Sequence, residues 1–209
     1  MKLIHGEAIT EMKKMTDKSV DISFTSPPYN RKRNDKYDHY DDDVTDYYGL
    51  LKNSIDEMIR VTKGNVFLNV QKNYYNKHDI FKLIGTYADQ ICEIIIWEKS
   101  NPMPASGFNI TNAYEFIIVF GESLKSNRTY TKNHFVTSTA RMHKEHKAVM
   151  HDVACEYIVQ NFTQPGEVIL DCFMGLGTTG KVALPSGRDF IGIELNETYF
   201  DLAKKRISN

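Results

Sequence analysis

Short, almost wholly apolar runs recur along this chain, and helix-compatible stretches separate them. The runs Val20–Thr25, Asn65–Val70, Ile91–Trp97, Tyr114–Phe120, Glu167–Asp171 and Phe190–Glu194 are mostly continuous rather than alternating. Continuous runs suit strands buried on both faces of a parallel sheet. A shorter one fits Lys2–His5. Between them, Asp46–Val61 sets Tyr47, Leu50, Leu51, Ile55, Met58 and Ile59 roughly on one helical face, and 76–88, 149–162, 177–185 and 196–207 also suit helices. The alternation predicts an α/β fold, an open doubly wound sheet with helices on both sides. A length of 209 residues suits one domain, 1–209. Two polar segments, 31–45 and 121–146, have no period and are expected to be long surface loops, which in compact domains are often functional.

The composition is that of an ordinary globule, with 41% hydrophobic and 25% charged residues. No apolar run approaches membrane-spanning length, and the N-terminus does not read as a signal peptide. Lys and Arg number 26 against 27 Asp and Glu, so the chain is not basic overall, although local patches still permit nucleic acid as a partner. Cys92, Cys155 and Cys172 are single and widely spaced, which points to a reducing, cytoplasmic setting. His143, His146 and His151 match no common zinc spacing, so no metal is expected.

Residues 167–180, EVILDCFMGLGTTG, run from an apolar strand ending in Asp171 through a glycine-rich turn into a helix-compatible stretch. Glycines there let backbone approach a ligand and supply N–H groups at a helix start. Gly175 to Lys181 fits most of a phosphate loop, but Val182 stands where a magnesium-binding hydroxyl is required. The better reading is a nucleoside without phosphates, with Glu194, the acid ending the next strand, on its ribose. S-adenosylmethionine fits: it has a ribose, a sulfonium charge and no phosphate.

Residues 20–30, VDISFTSPPYN, run from a strand into Ser26-Pro27-Pro28-Tyr29-Asn30. Two prolines forbid further sheet pairing and stiffen the turn, leaving a rigid platform at a strand's carboxyl end. An exocyclic amino group on cytosine or adenine is a poor nucleophile, because its lone pair is delocalised. Acceptors at both amino hydrogens, Ser26 Oγ and the Pro27 carbonyl, localise that lone pair. Tyr29 can stack on the flipped base. Methylation at ring carbon five needs a cysteine nucleophile, typically after a proline, and none of the three cysteines follows one.

Together the two motifs resemble the DNA amino-methyltransferases of cytosine N4 and adenine N6, with TSPPYN before DCFMGLGTTG as in the permuted β group. The resemblance covers nearly the whole chain. It implies a Rossmann-like sheet of seven strands, the last antiparallel, in circularly permuted motif order. It implies Ser26, Pro27, Pro28 and Tyr29 as the catalytic turn. For the cofactor it implies Glu7 beside the adenine, His146, Lys147 and Ala148 over the methionine end, and Thr25, Asp171, Phe173, Gly175, Gly177, Thr178, Thr179 and Glu194 around the turn. Leu176 stands where the family usually has Ser, and Lys147 and His151 where it usually has Pro. Ser-Pro-Pro-Tyr goes with cytosine N4, and the alternative is adenine N6.

For DNA contact, Lys125, Arg128, Lys132 and Arg141 lie in a basic stretch with Tyr130 and Phe135 interleaved, suited to phosphates. Asn30, Arg31, Lys32 and Arg33 directly follow the catalytic turn, and Asp35, Asp38, Asp41, Asp42, Asp43 and Asp46 mark a self-repelling flap. Larger family members carry a separate recognition domain, so a homodimer is a natural expectation here. Rival readings are an RNA or protein-glutamine substrate, and a non-catalytic module that binds S-adenosylmethionine or DNA.

Overall fold

The computed structural model describes residues 1–32, 43–105, 110–138 and 150–208. Among these residues, eight strands form one mixed sheet: β1 (Lys2–His5), β2 (Ile22–Thr25), β3 (Val66–Val70), β4 (Ile91–Lys99), β5 (Tyr114–Phe120), β6 (His134–Thr137), β7 (Val168–Asp171) and β8 (Asp189–Glu194). Their order is β1-β8-β7-β2-β3-β5-β4-β6. β5 runs antiparallel to both its neighbours, β3 and β4, and the other pairings are parallel. The helices are α1 (Ala8–Met12), α2 (Tyr47–Val61), α3 (Lys77–Thr86), α4 (Asp152–Phe162), α5 (Thr178–Ala183) and α6 (Glu197–Ser208).

The α/β class is as the apolar runs imply, but the sheet has one strand more than the seven expected. The addition is β6, inside the segment 121–146 that lacks sequence period. It carries one ring into the core, Phe135, which stacks on Trp97 at 6.0 Å and on Tyr157 at 4.2 Å. Thr137, on the same face, is buried and accepts from Trp97 Nε1 at 2.8 Å; one apolar and one polar inward side chain in four residues leave no apolar period. Helix α1 is likewise too short to show a period; Glu7 caps it, accepting from the Ile9 and Thr10 amides at 3.0 and 2.7 Å.

The two faces of β3 show how the layers form. Val66, Leu68 and Val70 pack with Met12 of α1, Leu51, Ile55 and Met58 of α2, and Ile80 and Leu83 of α3. Phe67 points to the other face and packs with Phe24, Trp97 and α4 residues Ala154, Ile158 and Val159. Phe24, Phe67 and Phe120 are fully or almost fully buried, each contributing about 1.5–3 kcal/mol relative to exposure. Asp46 starts α2 by accepting the Gly49 amide at 2.8 Å.

Candidate active site

Parallel strands place their carboxyl ends along one edge of the sheet, where open α/β sheets bind ligands. Two clusters of polar groups meet there. One lies beyond β7 and β8, the other beyond β2 and β3.

At the first, β7 ends in Asp171, which is 3% exposed. One carboxylate oxygen accepts the Thr25 hydroxyl at 2.6 Å and the Phe173 amide at 3.2 Å; the other accepts the Thr179 hydroxyl at 2.7 Å. Asp171 therefore ties β7 to β2 and to the start of α5. Burial pushes its carboxyl from 3.8 up to about 6, held back by the bonds from Thr25 and Thr179. Glu194, ending β8, accepts the Gly175 amide and the Asn196 amide, each at 2.8 Å. Burial raises its carboxyl as well, against those amide bonds.

Gly175 and Gly177 both have positive φ, +53° and +73°. They differ in surroundings. A Cβ on Gly177 meets Ile207 Cδ1 at 2.6 Å, so that glycine is fixed by packing against α6. A Cβ on Gly175 meets nothing within 4 Å, so its backbone faces open space beside Glu194. Thr178 and Thr179 open α5 and are buried, and Phe173 is half-buried. A nucleoside with ribose hydroxyls but no phosphate suits this surface, since an acid at 194 and open glycine backbone are what it offers.

At the second cluster, Ser26 directly follows Thr25. Its hydroxyl lies 2.9 Å from the Tyr29 hydroxyl. The Tyr29 hydroxyl donates to Glu115 Oε2 at 3.0 Å. Asn69 Nδ2 reaches Ser26 Oγ at 3.3 Å, Tyr29 Oη at 2.9 Å and Glu115 Oε2 at 2.8 Å. Lys99 Nζ pairs with Glu115 Oε1 at 3.1 Å and lies over the Trp97 ring. Burial pulls the Lys99 ammonium down to about 8, although Glu115 opposes this. Burial and the Glu115 charge push the Tyr29 phenol well above its ordinary value.

Strand register explains why these groups meet. Thr25 pairs with Leu68, so Ser26 continues to the level of Asn69. Asn69 pairs with Ile117 and Trp97 with Glu115, so Asn69, Glu115 and Lys99 share one face by the two-residue alternation. The far end of the turn is pinned too, because the Tyr29 carbonyl accepts from Asn73 at 2.7 Å and Asn76 at 2.8 Å.

Other expected site residues are placed less uniformly. Glu7 sits near Glu194 through the Gly6 amide, which donates to the Glu194 carbonyl at 3.0 Å. Asn30 is buried, and its side chain accepts the Val44 amide at 3.1 Å, so it clasps the chain rather than facing outward. The Arg31 guanidinium lies 5.2 Å from the Tyr29 ring centroid and donates to Gln71 at 2.6 Å. Lys32 pairs with Asp43 at 3.4 Å. Arg33, Arg141, His146, Lys147 and Ala148 lie outside the described residues. Lys125, Arg128 and Lys132, expected to contact DNA, lie between β5 and β6, at the edge of the sheet opposite the two clusters. Arg128 bonds Gln160 and the Lys132 carbonyl accepts from Tyr157, at the α4 end that leads into the start of β7. A loop entering a parallel strand necessarily lies at that strand's amino end.

Sequence reasoning did not single out Asn69, Lys99, Glu115, Asn73 or Asn76. The available signal was a polar residue inside an apolar run: Asn69 within NVFLNV and Glu115 within YEFIIVF. Both are buried.

Comparison with known proteins gives a consistent grouping. The family model described as "DNA methylase", N6 and N4, matches residues 20–205. The Type II methyltransferase M.HinfI of Haemophilus influenzae is 26% identical over 98% of this chain and 67% of its own length. M.MwoI of Methanothermobacter wolfeii is 29% identical over 98% of this chain, which spans 34% of that relative. Among solved structures, the cytosine-N4-specific PvuII DNA methyltransferase superposes with a TM-score of 0.81 at 17% identity, covering 98% of this chain and 85% of that one. M1.HpyAVI in complex with SAM gives 0.73 at 23% identity, covering 100% and 99%.

Proposed function

The chain belongs to the N6/N4 DNA methylase family, S-adenosylmethionine-dependent DNA methyltransferases, and from that premise we propose that it methylates the N4 amino group of cytosine. The observation that carries this reading is the position of Ser26. Its hydroxyl stands at the sheet's carboxyl edge, one residue from Thr25, whose side chain bonds the Asp171 of the glycine turn at 2.6 Å. That adjacency supports a nucleophile and a methyl donor held side by side.

Glu194 and the Gly175 backbone would hold the ribose, and Phe173 would lie beside the adenine. When bound there, S-adenosylmethionine supplies an electrophilic methyl on a sulfonium. Ser26 Oγ and the Pro27 carbonyl accept the two amino hydrogens, so the nitrogen lone pair leaves the ring conjugation. Holding the amine in line is the main contribution, as in other positioned displacements. No enzyme nucleophile is required. Cys155 and Cys172 are buried, and burial raises both thiols far above their ordinary range, which disfavours ring-carbon chemistry.

Incubation with duplex DNA and labelled S-adenosylmethionine, followed by nucleoside mass spectrometry, is expected to yield N4-methylcytosine. N6-methyladenine instead overturns the choice of base; no labelled nucleoside overturns the activity.

DNA is proposed to lie across the loop after β3 rather than across the basic segment at the far edge. Tyr74 is 78% exposed and Tyr75 52%, with Lys72 and Lys77 beside them, and Asn73 and Asn76 fasten this loop to the Tyr29 carbonyl. Exposed aromatics with neighbouring cations suit nucleic acid, and base stacking contributes about 1–3 kcal/mol per ring. Tyr74→Ala with Tyr75→Ala is expected to raise KM for DNA by roughly tenfold or more, with S-adenosylmethionine binding unchanged by calorimetry. Unaltered KM for DNA removes this surface from consideration.

A further inference from the structure

Ser26 is a neutral hydroxyl asked to act as an acceptor, and a hydroxyl can equally well donate. We propose that Glu115, acting through Tyr29 and Asn69, fixes the polarity of Ser26, so that it presents only lone pairs to the target amine. Glu115 is thereby a positioning residue, and the inference rests on the methyltransferase reading of the same site.

The argument is a count of hydrogens. The Glu115 carboxylate only accepts, and it lies 3.0 Å from the Tyr29 hydroxyl, which therefore donates its single hydrogen there. Tyr29 Oη can then only accept from its other two neighbours, Asn69 Nδ2 and Ser26 Oγ, both at 2.9 Å. Ser26 has one hydrogen, and Tyr29 takes it. The two Asn69 Nδ2 hydrogens go to its shorter contacts, Glu115 and Tyr29; the nitrogen also lies 3.3 Å from Ser26 Oγ and offers no acceptor for the Ser26 hydrogen. No hydrogen of Ser26 remains for the substrate side.

The Asn69 amide cannot reverse this order. Turned over, its oxygen would stand 2.8 Å from the Glu115 carboxylate, where Nδ2 now donates. Its Oδ1 is instead buried without a hydrogen-bond partner, an unfavourable position that the contacts of Nδ2 impose. Lys99 completes the arrangement, because its bond to Glu115 Oε1 leaves Oε2 to Tyr29 and Asn69. The burial-lowered Lys99 ammonium agrees with a pair shielded from water. The effect resembles placing a carboxylate at position 26, but with the anion two hydroxyls away from the substrate.

Glu115→Gln tests this, because glutamine can donate to Tyr29 Oη and so turn the chain of hydrogens around. The expected result is a kcat lower by roughly tenfold or more, with KM for S-adenosylmethionine unchanged. Because Glu115→Gln alone leaves Lys99 buried without its partner, Lys99→Met with Glu115→Gln serves as a neutral version, and the same kcat loss is expected. In a Tyr29→Phe background, which cuts the transmitting hydroxyl, Glu115→Gln is expected to add no further loss. An unchanged kcat in both Glu115 variants, or fully additive losses with Tyr29→Phe, overturns the proposal. If the unaltered enzyme transfers no methyl to DNA, the activity reading itself has failed, and the comparison among variants separates the two outcomes.

Discussion

Ser26→Ala is expected to lower kcat for DNA methylation by about 10²–10³, the range seen when one pre-organised hydrogen-bonding group is removed from a reacting centre. Binding of S-adenosylmethionine should stay within about twofold of the unaltered protein, a ratio worth about 0.4 kcal/mol. The reason is spatial. Ser26 Oγ touches Tyr29 and Asn69, whereas Glu194, Asp171 and Gly175 have no bond to it. Single-turnover kinetics with a labelled methyl group measure the first quantity and titration calorimetry the second. A Ser26→Ala enzyme of normal turnover contradicts the catalytic assignment outright.

Asp171→Ala should act on stability and not only on activity. It deprives the Thr25 and Thr179 hydroxyls and the Phe173 amide of their acceptor in the buried interior. The expected loss is about 3–5 kcal/mol, with Tm falling by roughly 10 °C. The pH dependence has a definite sign. Burial raises the folded carboxyl from 3.8 to about 6. This group therefore stabilises the fold relative to its unfolded state fully below about pH 3.8, and that stabilisation is lost as pH rises through about 6. Relative to Asp171→Asn, which does not titrate, the unaltered protein should gain about 2 kcal/mol between pH 7 and pH 4. Urea melts of both proteins at matched pH values read this difference, and a gap constant across that interval defeats the assignment.

Much of the scaffold was legible because burial on both faces of a parallel strand removes polar alternation. VDISFT, NVFLNV, EVILD and FIGIE stand out for that reason, and the acids Asp171 and Glu194 mark where two of them end. The Ser26–Tyr29 turn was legible because two consecutive prolines cannot continue a strand. What the residues did not disclose was pairing across long separations. Nothing local to Glu115 or Lys99 says that β5 inserts beside β3 and brings both behind Ser26. Nor does a count of lysines say at which edge of the sheet they will stand, and the basic stretch at 125–132 stands away from the two polar clusters. Asn30 shows a different kind of illegibility: nothing in its neighbours says that its side chain accepts the Val44 amide.

The Thr25–Asp171 bond joins residues separated by 146 positions, and it is the bridge between the two halves of the site. β2 and β7 are adjacent in the sheet yet distant along the chain, so this pairing bears one of the largest loop-closure penalties in the fold. The Ser26 cluster draws only on β2 to β5, whereas the glycine turn reaches it only through the β2–β7 pairing. The groups that activate an amine and those that receive a methyl donor become one site only when the sheet is closed through its middle. Both halves of the site thus depend on one strand pairing, and its loss would separate them.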